Sequence, residues 1–312
     1  MAPLPLPPRR ALLITAYLAV CVVWGSTYYG IRLALEGFPP FLIGAMRFLA
    51  AGALLLGIAR VRGERLPTAR EWGAAVVTGT LFFALGNGLV NLAEQSVSSG
   101  LASVLVATMP LWATLWARLF GERPSAGEVL GVGLGLVGVV ILEVGGELRA
   151  SPIGALFLLL APMSWALGSL ASKRLPTPPA TFTRTGAQML AGGVVMLIVS
   201  LGVGERVVGT PSTRAILAVV YLAVLGSLVG FTAFSYLLAH TRPAVATSYA
   251  YVNPVIAVAL GVVLAGEHFG LASAVGALVI LGAVGIVARA RSGAARPATP
   301  AVIPSGWASR VS

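Results

Sequence analysis

The chain has 312 residues, of which 57% are hydrophobic and 10% charged, with a formal net charge of +11 and a mean hydropathy of +0.92. A soluble globular domain carries charge on roughly a quarter of its residues, so this composition excludes that class. The basic residues stand between apolar runs and at the termini, a placement that suits topology signals at a membrane surface and argues against nucleic acid as a partner.

Cys21 is the sole cysteine, so neither an intramolecular disulfide nor a cysteine-based metal site can form. Asp is absent, and His240 and His268 lie far apart, each near a predicted helix end. These residues offer little from which to build a metal site or a catalytic dyad, and no cofactor is expected.

The N-terminus places Arg9 and Arg10 before an apolar run, as a signal peptide would. The run continues through Cys21, Trp24 and Tyr28, past the 7–15 residues of a cleaved signal, and is read as an uncleaved first span. Ten spans are predicted, at 11–31, 41–59, 72–92, 100–120, 127–144, 152–172, 181–202, 214–238, 244–265 and 271–288. Each is near the ~20 residues needed to cross the hydrocarbon core. Of the 21 basic residues, Arg47 falls within a span. Arg32, Arg149, Arg206 and Arg214 fall on one side, and all the others, from Arg9 to Arg310, fall on the opposite side. The excess marks the cytoplasmic side and places both termini there. An integral plasma-membrane protein in contact with lipid follows. Loop 173–184 is Pro-rich, and the basic tail 289–312 is expected to be disordered.

The chain also divides into two similar units, 11–144 and 152–288. Trp24 and Arg32 are spaced as Trp165 and Lys173 are, and Arg47 then falls opposite Gln188. Gly100–Glu122 and Ala244–Glu267 share their spacing, with Pro110 and Pro254 at matching depth and a closing Gly-Glu pair. Five spans per unit is an odd number, so the second unit enters the bilayer inverted, as in many secondary transporters. A proline within a helix leaves the carbonyl four residues back unpaired, here at Val106 and Ala250. In hydrocarbon such a group must face protein or a polar cavity.

With these motifs placed, residues 12–288 resemble the EamA-type drug/metabolite transporters, in particular their YedA-like exporter branch. The resemblance rests on VVWGSTYYGIR (22–32), FPPFLIGAMRFLAAG (38–52), ALGNGLVNLAEQSVSSGLASVLVATMPLW (84–112), FGERPS (120–125), SWALGS (164–169) and ATSYAYVNPVIAV (246–258). It implies an all-α basket of ten transmembrane helices, two inverted five-helix repeats around a central cavity, with cargo ranging over amino acids, sugars, nucleosides and drugs. Arg32 stands where the family pattern leads one to expect lysine, which keeps the charge but not the ease of deprotonation.

Several polar residues stand out against the apolar background. Arg47, about two turns into the second span, costs roughly 2.5–3.5 kcal/mol to insert and should face the bundle interior. Glu94, ending the third span on the same side, is a candidate partner. The pair reads either as a structural clasp or as a gate or anion site, with Gln188 as the uncharged counterpart. Asn87 and Asn91, four apart, share a helix face and either bond a neighbouring helix or line a pathway. Tyr249, Tyr251 and Asn253 lie close to Pro254 and suit a mostly apolar pocket with few polar contacts. Trp24, Tyr28 and Trp165 divide between interfacial belt and pocket, and Tyr236 is a weaker candidate. Glu122 and Glu267 are expected to cap the N-terminus of the helix that follows each. Gly133, Gly135 and Gly138 match GxGxxG, but within an apolar helix without a preceding strand they bind no dinucleotide. Gly131 and Gly135 form instead a small-residue packing face.

These readings converge on a secondary transporter that exports a small metabolite, amino acid or amphiphilic drug by alternating access. Its partners are a small-molecule substrate and the bilayer, with protons as a candidate coupling ion. A uniporter or exchanger importing a metabolite is the first alternative, and a membrane-embedded enzyme or a structural protein a more distant one. A homodimer is compatible with the sequence.

Overall fold

The computed structural model describes residues 10–121, 124–144, 151–241 and 249–294. Among them every regular element is helical. α1 is Arg10–Leu35 and α2 Pro40–Val61; α3 joins Ala69–Gly79, Thr80–Asn87 and Gly88–Ala93 end to end. α4 has two pieces, Ser99–Val106 and Met109–Leu119, and α5 is Ala126–Val144. α6 is Pro152–Arg174 and α7 Thr181–Gly202. α8 joins Thr213–Tyr221, Leu222–Val229 and Gly230–His240; α9 is Tyr249–Ala265 and α10 Leu271–Ala294. Eight runs are long and apolar enough to cross a bilayer, and two shorter apolar helices, Ala126–Ile141 and Val252–Ala265, accompany them. The chain is a polytopic all-α membrane protein.

The surface supports this directly. Val61, Ile198, Val263 and Leu278 point outward from four different helices and are more than half exposed. An apolar surface of that extent is unsustainable in water and ordinary against lipid.

Helix starts follow local chemistry, since the first four N–H groups of a helix need outside acceptors. Thr68 and Glu71 form a capping box on α3, and Ser98, Ser151 and Ser212 cap α4, α6 and α8 through their hydroxyls. Pro40 and Pro152 occupy first turns, where a missing N–H costs nothing.

Other helix starts are closed from the opposite end of the chain. α2 ends on Gly63 (φ +77°) and α7 on Gly204 (φ +73°), each followed by a glutamate. The left-handed glycine turns the chain so that the glutamate points back across the bundle. Glu64 accepts from the Thr183 N–H (3.1 Å) and hydroxyl (2.7 Å) at the start of α7. Glu205 accepts from the N–H groups of Phe41 (3.0 Å) and Leu42 (2.9 Å) at the start of α2.

α2 packs along α7, and α5 along α10. A Cβ added at Gly52 would lie 2.6 Å from the Leu190 nitrogen, and one at Gly193 would lie 2.9 Å from the Leu49 nitrogen. Likewise one at Gly131 would meet the Ala283 carbonyl (2.9 Å), and one at Gly138 the Gly276 carbonyl (3.1 Å). Backbones approach this closely only where small residues allow it. Gly135, expected to share the Gly131 face, packs instead against Leu111 of α4.

Thr80–Asn87 and Leu222–Val229 are π-helical, a wider turn that concentrates at functional sites. Each is closed by a side chain reaching the carbonyl five residues back, Asn87 to Phe82 (3.0 Å) and Ser227 to Leu222 (3.2 Å).

Two expectations change. The segment 289–294, read as the start of a disordered tail, continues α10, because its Ala-Arg-Ala-Arg stretch has high helix propensity. Pro110 does not sit inside a continuous helix: α4 breaks at Ala107–Thr108, and Pro110 falls in the first turn of the second piece. Pro254, by contrast, lies inside α9.

Candidate functional site

A cavity of about 90 Å³ opens among α1, α2, α3, α4, α6, α8 and α9. α1 contributes Trp24, Thr27, Tyr28 and Ile31; α2 contributes Arg47; α3 contributes Gly86, Asn87 and Val90. Across from them stand Pro162 and Trp165 of α6, Phe231 of α8, and Tyr249, Ala250 and Asn253 of α9. The broken part of α4, from Ser103 to Pro110, supplies much of the remaining wall.

The backbone irregularities explain why the cavity sits here. Pro254 leaves the Ala250 carbonyl without its helical donor, and Val106 ends the first piece of α4 at the break that precedes Pro110. Both Val106 and Ala250 line the cavity. Pro162, inside α6, lines it as well and deprives Leu158 of a donor. This third proline, in the Ala-Pro-Met-Ser-Trp stretch of an apolar run, carries the same sequence signal as the other two and is not among the predicted site residues.

Arg47 is 5% exposed. Its Nε donates to Ser227 Oγ at 2.8 Å, and its guanidinium lies 4.8 Å from the centre of the Phe48 ring. The clasp with Glu94 does not form: the two ion pairs among the described residues are Arg32–Glu267 and Arg65–Glu71. Arg47 turns instead toward the π-helical turn of α8, where Gly226 leaves room beside Nη2. Glu94, one residue past α3, is 4% exposed, and both carboxylate oxygens lack a hydrogen-bond partner among the described residues. Burial lifts its pKa well above the usual carboxylate range; the charge of Glu267 adds to this and that of Arg32 opposes it.

Trp24 is locked in place. Its Nε1 donates to the Gly226 carbonyl (3.0 Å), and its ring packs edge-on against Phe231 and Tyr249. Trp165 packs edge-on against Phe82, and its buried Nε1 has no hydrogen-bond partner among the described residues. Asn253, with its amide nitrogen donating, bonds the carbonyls of Cys21 and Tyr249 at 3.2 Å each.

The remaining candidates lie elsewhere. Asn91 donates to the Pro40 carbonyl (2.9 Å) and so ties α3 to the start of α2. Gln188 donates to Thr78 (3.0 Å) and Ser172 (3.3 Å), a helix-to-helix tie away from the cavity. Tyr236 stacks on His240 one turn later. The Tyr251 side chain and Glu122 lie outside the described residues. Glu267 is a cap, but not of the helix that follows it. It accepts from the Ser99 N–H (2.9 Å) and hydroxyl (2.9 Å) and the Gly100 N–H (3.2 Å) at the start of α4. It also accepts from Arg32 Nη1 (3.0 Å). Gly266, at φ +64°, turns it toward α1 and α4 and away from α10.

The model of the EamA-like transporter family matches this chain twice, at residues 11–144 and 152–289. The chain belongs to the EamA-like transporter family. Its relatives within and near the family include the uncharacterized inner membrane transporter YedA of Escherichia coli K12. That protein is 45% identical over 82% of this chain and 83% of its own length. The uncharacterized transporter YdfC of Bacillus subtilis is 32% identical over 84% of this chain and 86% of its own. A probable terminal-alkyne amino-acid exporter of Streptantibioticus cattleyicolor is 27% identical over 81% and 86%. One solved crystal structure, 22% identical, covers 89% of this chain and 98% of its own with a TM-score of 0.61, a likeness of fold. This chain is thus an EamA-family membrane transporter, and its cavity-lining residues are drawn from both matched segments.

Proposed function

We propose that this EamA-family protein is a secondary transporter of the inner membrane that exports a small metabolite, amino acid or amphiphilic compound by alternating access. In this reading the chain crosses the bilayer ten times, α1–α5 and α6–α10 are inverted repeats, and both termini are cytoplasmic. The cavity carries the argument: it is enclosed by helices of both halves, with the break of α4 and the proline-bearing stretches of α6 and α9 in its wall. The reciprocal contacts support the repeat. Gly52 meets Leu190 as Gly193 meets Leu49, and the corresponding residues, Gly52 and Gly193, Leu49 and Leu190, stand 141 positions apart. The π-helical segments and the glutamates that close α2 and α7 recur at near-equal spacing. Export agrees with the name of the Streptantibioticus relative and location with that of the Escherichia one.

Reconstitution into proteoliposomes and untargeted comparison of metabolites in cells with and without the chain test the transport. Cysteines introduced at Arg62 and Val203, in a Cys21→Ser background, test the repeat: an impermeant maleimide should reach them from opposite faces. Labelling from one face would remove the inverted arrangement.

Proton coupling is a second reading, favoured by Glu94, a buried carboxyl group without a hydrogen-bond partner among the described residues. Glu64, Glu71, Glu205 and Glu267 are committed to helix starts or arginines.

A further inference from the structure

The geometry points to a small organic anion as cargo, its acidic head held on the guanidinium of Arg47 and its apolar body against the surrounding rings. This rests on the transport reading for its biological sense, though not for its chemistry.

Among the described residues Arg47 is the charged side chain of the cavity wall, and no carboxylate lines it. Of its five N–H groups only Nε–H has an acceptor among the described residues, Ser227. The four on Nη1 and Nη2 have no hydrogen-bond partner among the described residues, and no ion pair includes Arg47. A desolvated cation is costly to maintain until a counter-charge arrives. The planar fork of a guanidinium matches a carboxylate with two parallel bonds.

The surroundings keep that fork available. A Cβ on Gly226 would stand 3.2 Å from Nη2, so the glycine leaves the guanidinium its place. The Gly226 carbonyl accepts from Trp24 Nε1 and not from Arg47. The hydroxyls of Tyr28 and Tyr249 have no hydrogen bond to another described residue, and both line the cavity. They are further donors for an anionic head. Trp24, Trp165 and Phe231 supply flat apolar walls. A cationic head would meet Arg47 with no carboxylate in the wall to offset the repulsion.

The test uses three probes that differ only in the head group: 3-phenylpropanoate, 3-phenylpropanamide and 3-phenylpropylamine. Binding to the purified full-length protein in detergent is read by tryptophan fluorescence and calorimetry. The propanoate should bind at least tenfold more tightly than the amide, and the amine more weakly still. Arg47→Met should abolish that preference and Arg47→Lys restore part of it. If Arg47→Met does not fold, Ser227→Ala serves, because it frees the guanidinium without removing the charge. It should weaken propanoate binding severalfold and leave acid favoured over amide. Equal binding of acid and amide, no binding of the propanoate, or a preference that survives Arg47→Met would each overturn the anion site. Flux of the same probes in proteoliposomes separates the two proposals. Anion binding without flux counts against transport alone, and flux without acid preference counts against the anion site alone.

Discussion

The Glu267 carboxylate meets Ser99 twice, accepting its backbone N–H and its hydroxyl at 2.9 Å each across 168 residues of chain. The same oxygen receives Arg32, so one side chain joins the ends of α1 and α9 to the start of α4. It is 5% exposed while Arg32 is 41% exposed, so the bonds to α4 outweigh the ion pair.

Glu267→Ala should therefore destabilise the protein by roughly 1.5–3 kcal/mol, the range for hydrogen bonds to a charged group. Arg32→Ala should cost under about 1 kcal/mol, as a half-exposed ion pair does. Thermal unfolding of both variants in one detergent checks the ranking, and equal losses would mean the cap contributes little.

Glu94 predicts a pH dependence. Its pKa is raised in the folded state above a usual value of 4.5, so the folded protein holds this proton where the unfolded chain has released it. Stability then falls as pH rises above that usual value, by up to about 1.4 kcal/mol per unit until the raised pKa is passed. Glu94→Gln should remove this slope and raise the melting temperature at pH 8 more than at pH 5. A wild-type slope that persists in the variant would place its origin elsewhere.

The close helix pairs predict a contrast between glycines. Gly52→Ala and Gly193→Ala each push a methyl group against a backbone nitrogen of the facing helix, and overpacking of this kind costs about 1–3 kcal/mol. Gly57, on the same helix as Gly52, has nothing within 4 Å of an added Cβ. Gly57→Ala should be neutral or stabilise by up to about 1 kcal/mol. Melting temperatures decide it.

Pro254→Ala restores an N–H to a helix that already continues through that position, so Ala250 gains its helical donor. Flux should drop with little loss of stability. Pro110→Ala acts at a first turn, where the missing N–H matters less, and should change flux less. Equal effects of the two substitutions in proteoliposomes would remove the link between free carbonyls and the pathway.

Much of the fold was legible because a membrane helix announces itself by length and apolarity. The cavity wall was partly legible because Trp24, Tyr28, Arg47, Asn87, Trp165 and Tyr249 are conspicuous against that background. What could not be read was partnership. Arg47 bonds Ser227, 180 residues away, and nothing in the local pattern favours that serine over Glu94. The π-helical turns have no composition of their own, since TLFFALGN and LAVLGSLV would serve equally in an α-helix. The Gly-Glu pairs at 63–64 and 204–205 are visible in the sequence, but the helix starts they close are not adjacent to them.

Those distant closures also constrain how the chain is made. The N–H groups opening α2 wait for Glu205, and those opening α4 wait for Glu267, which emerge 164 and 168 residues after their targets. At a translation rate of about 5–20 residues per second, the wait is roughly ten to thirty seconds. Throughout that interval the N–H groups of Phe41, Leu42, Ser99 and Gly100 are left to water and lipid headgroups, while Ser98 already serves the next turn of α4.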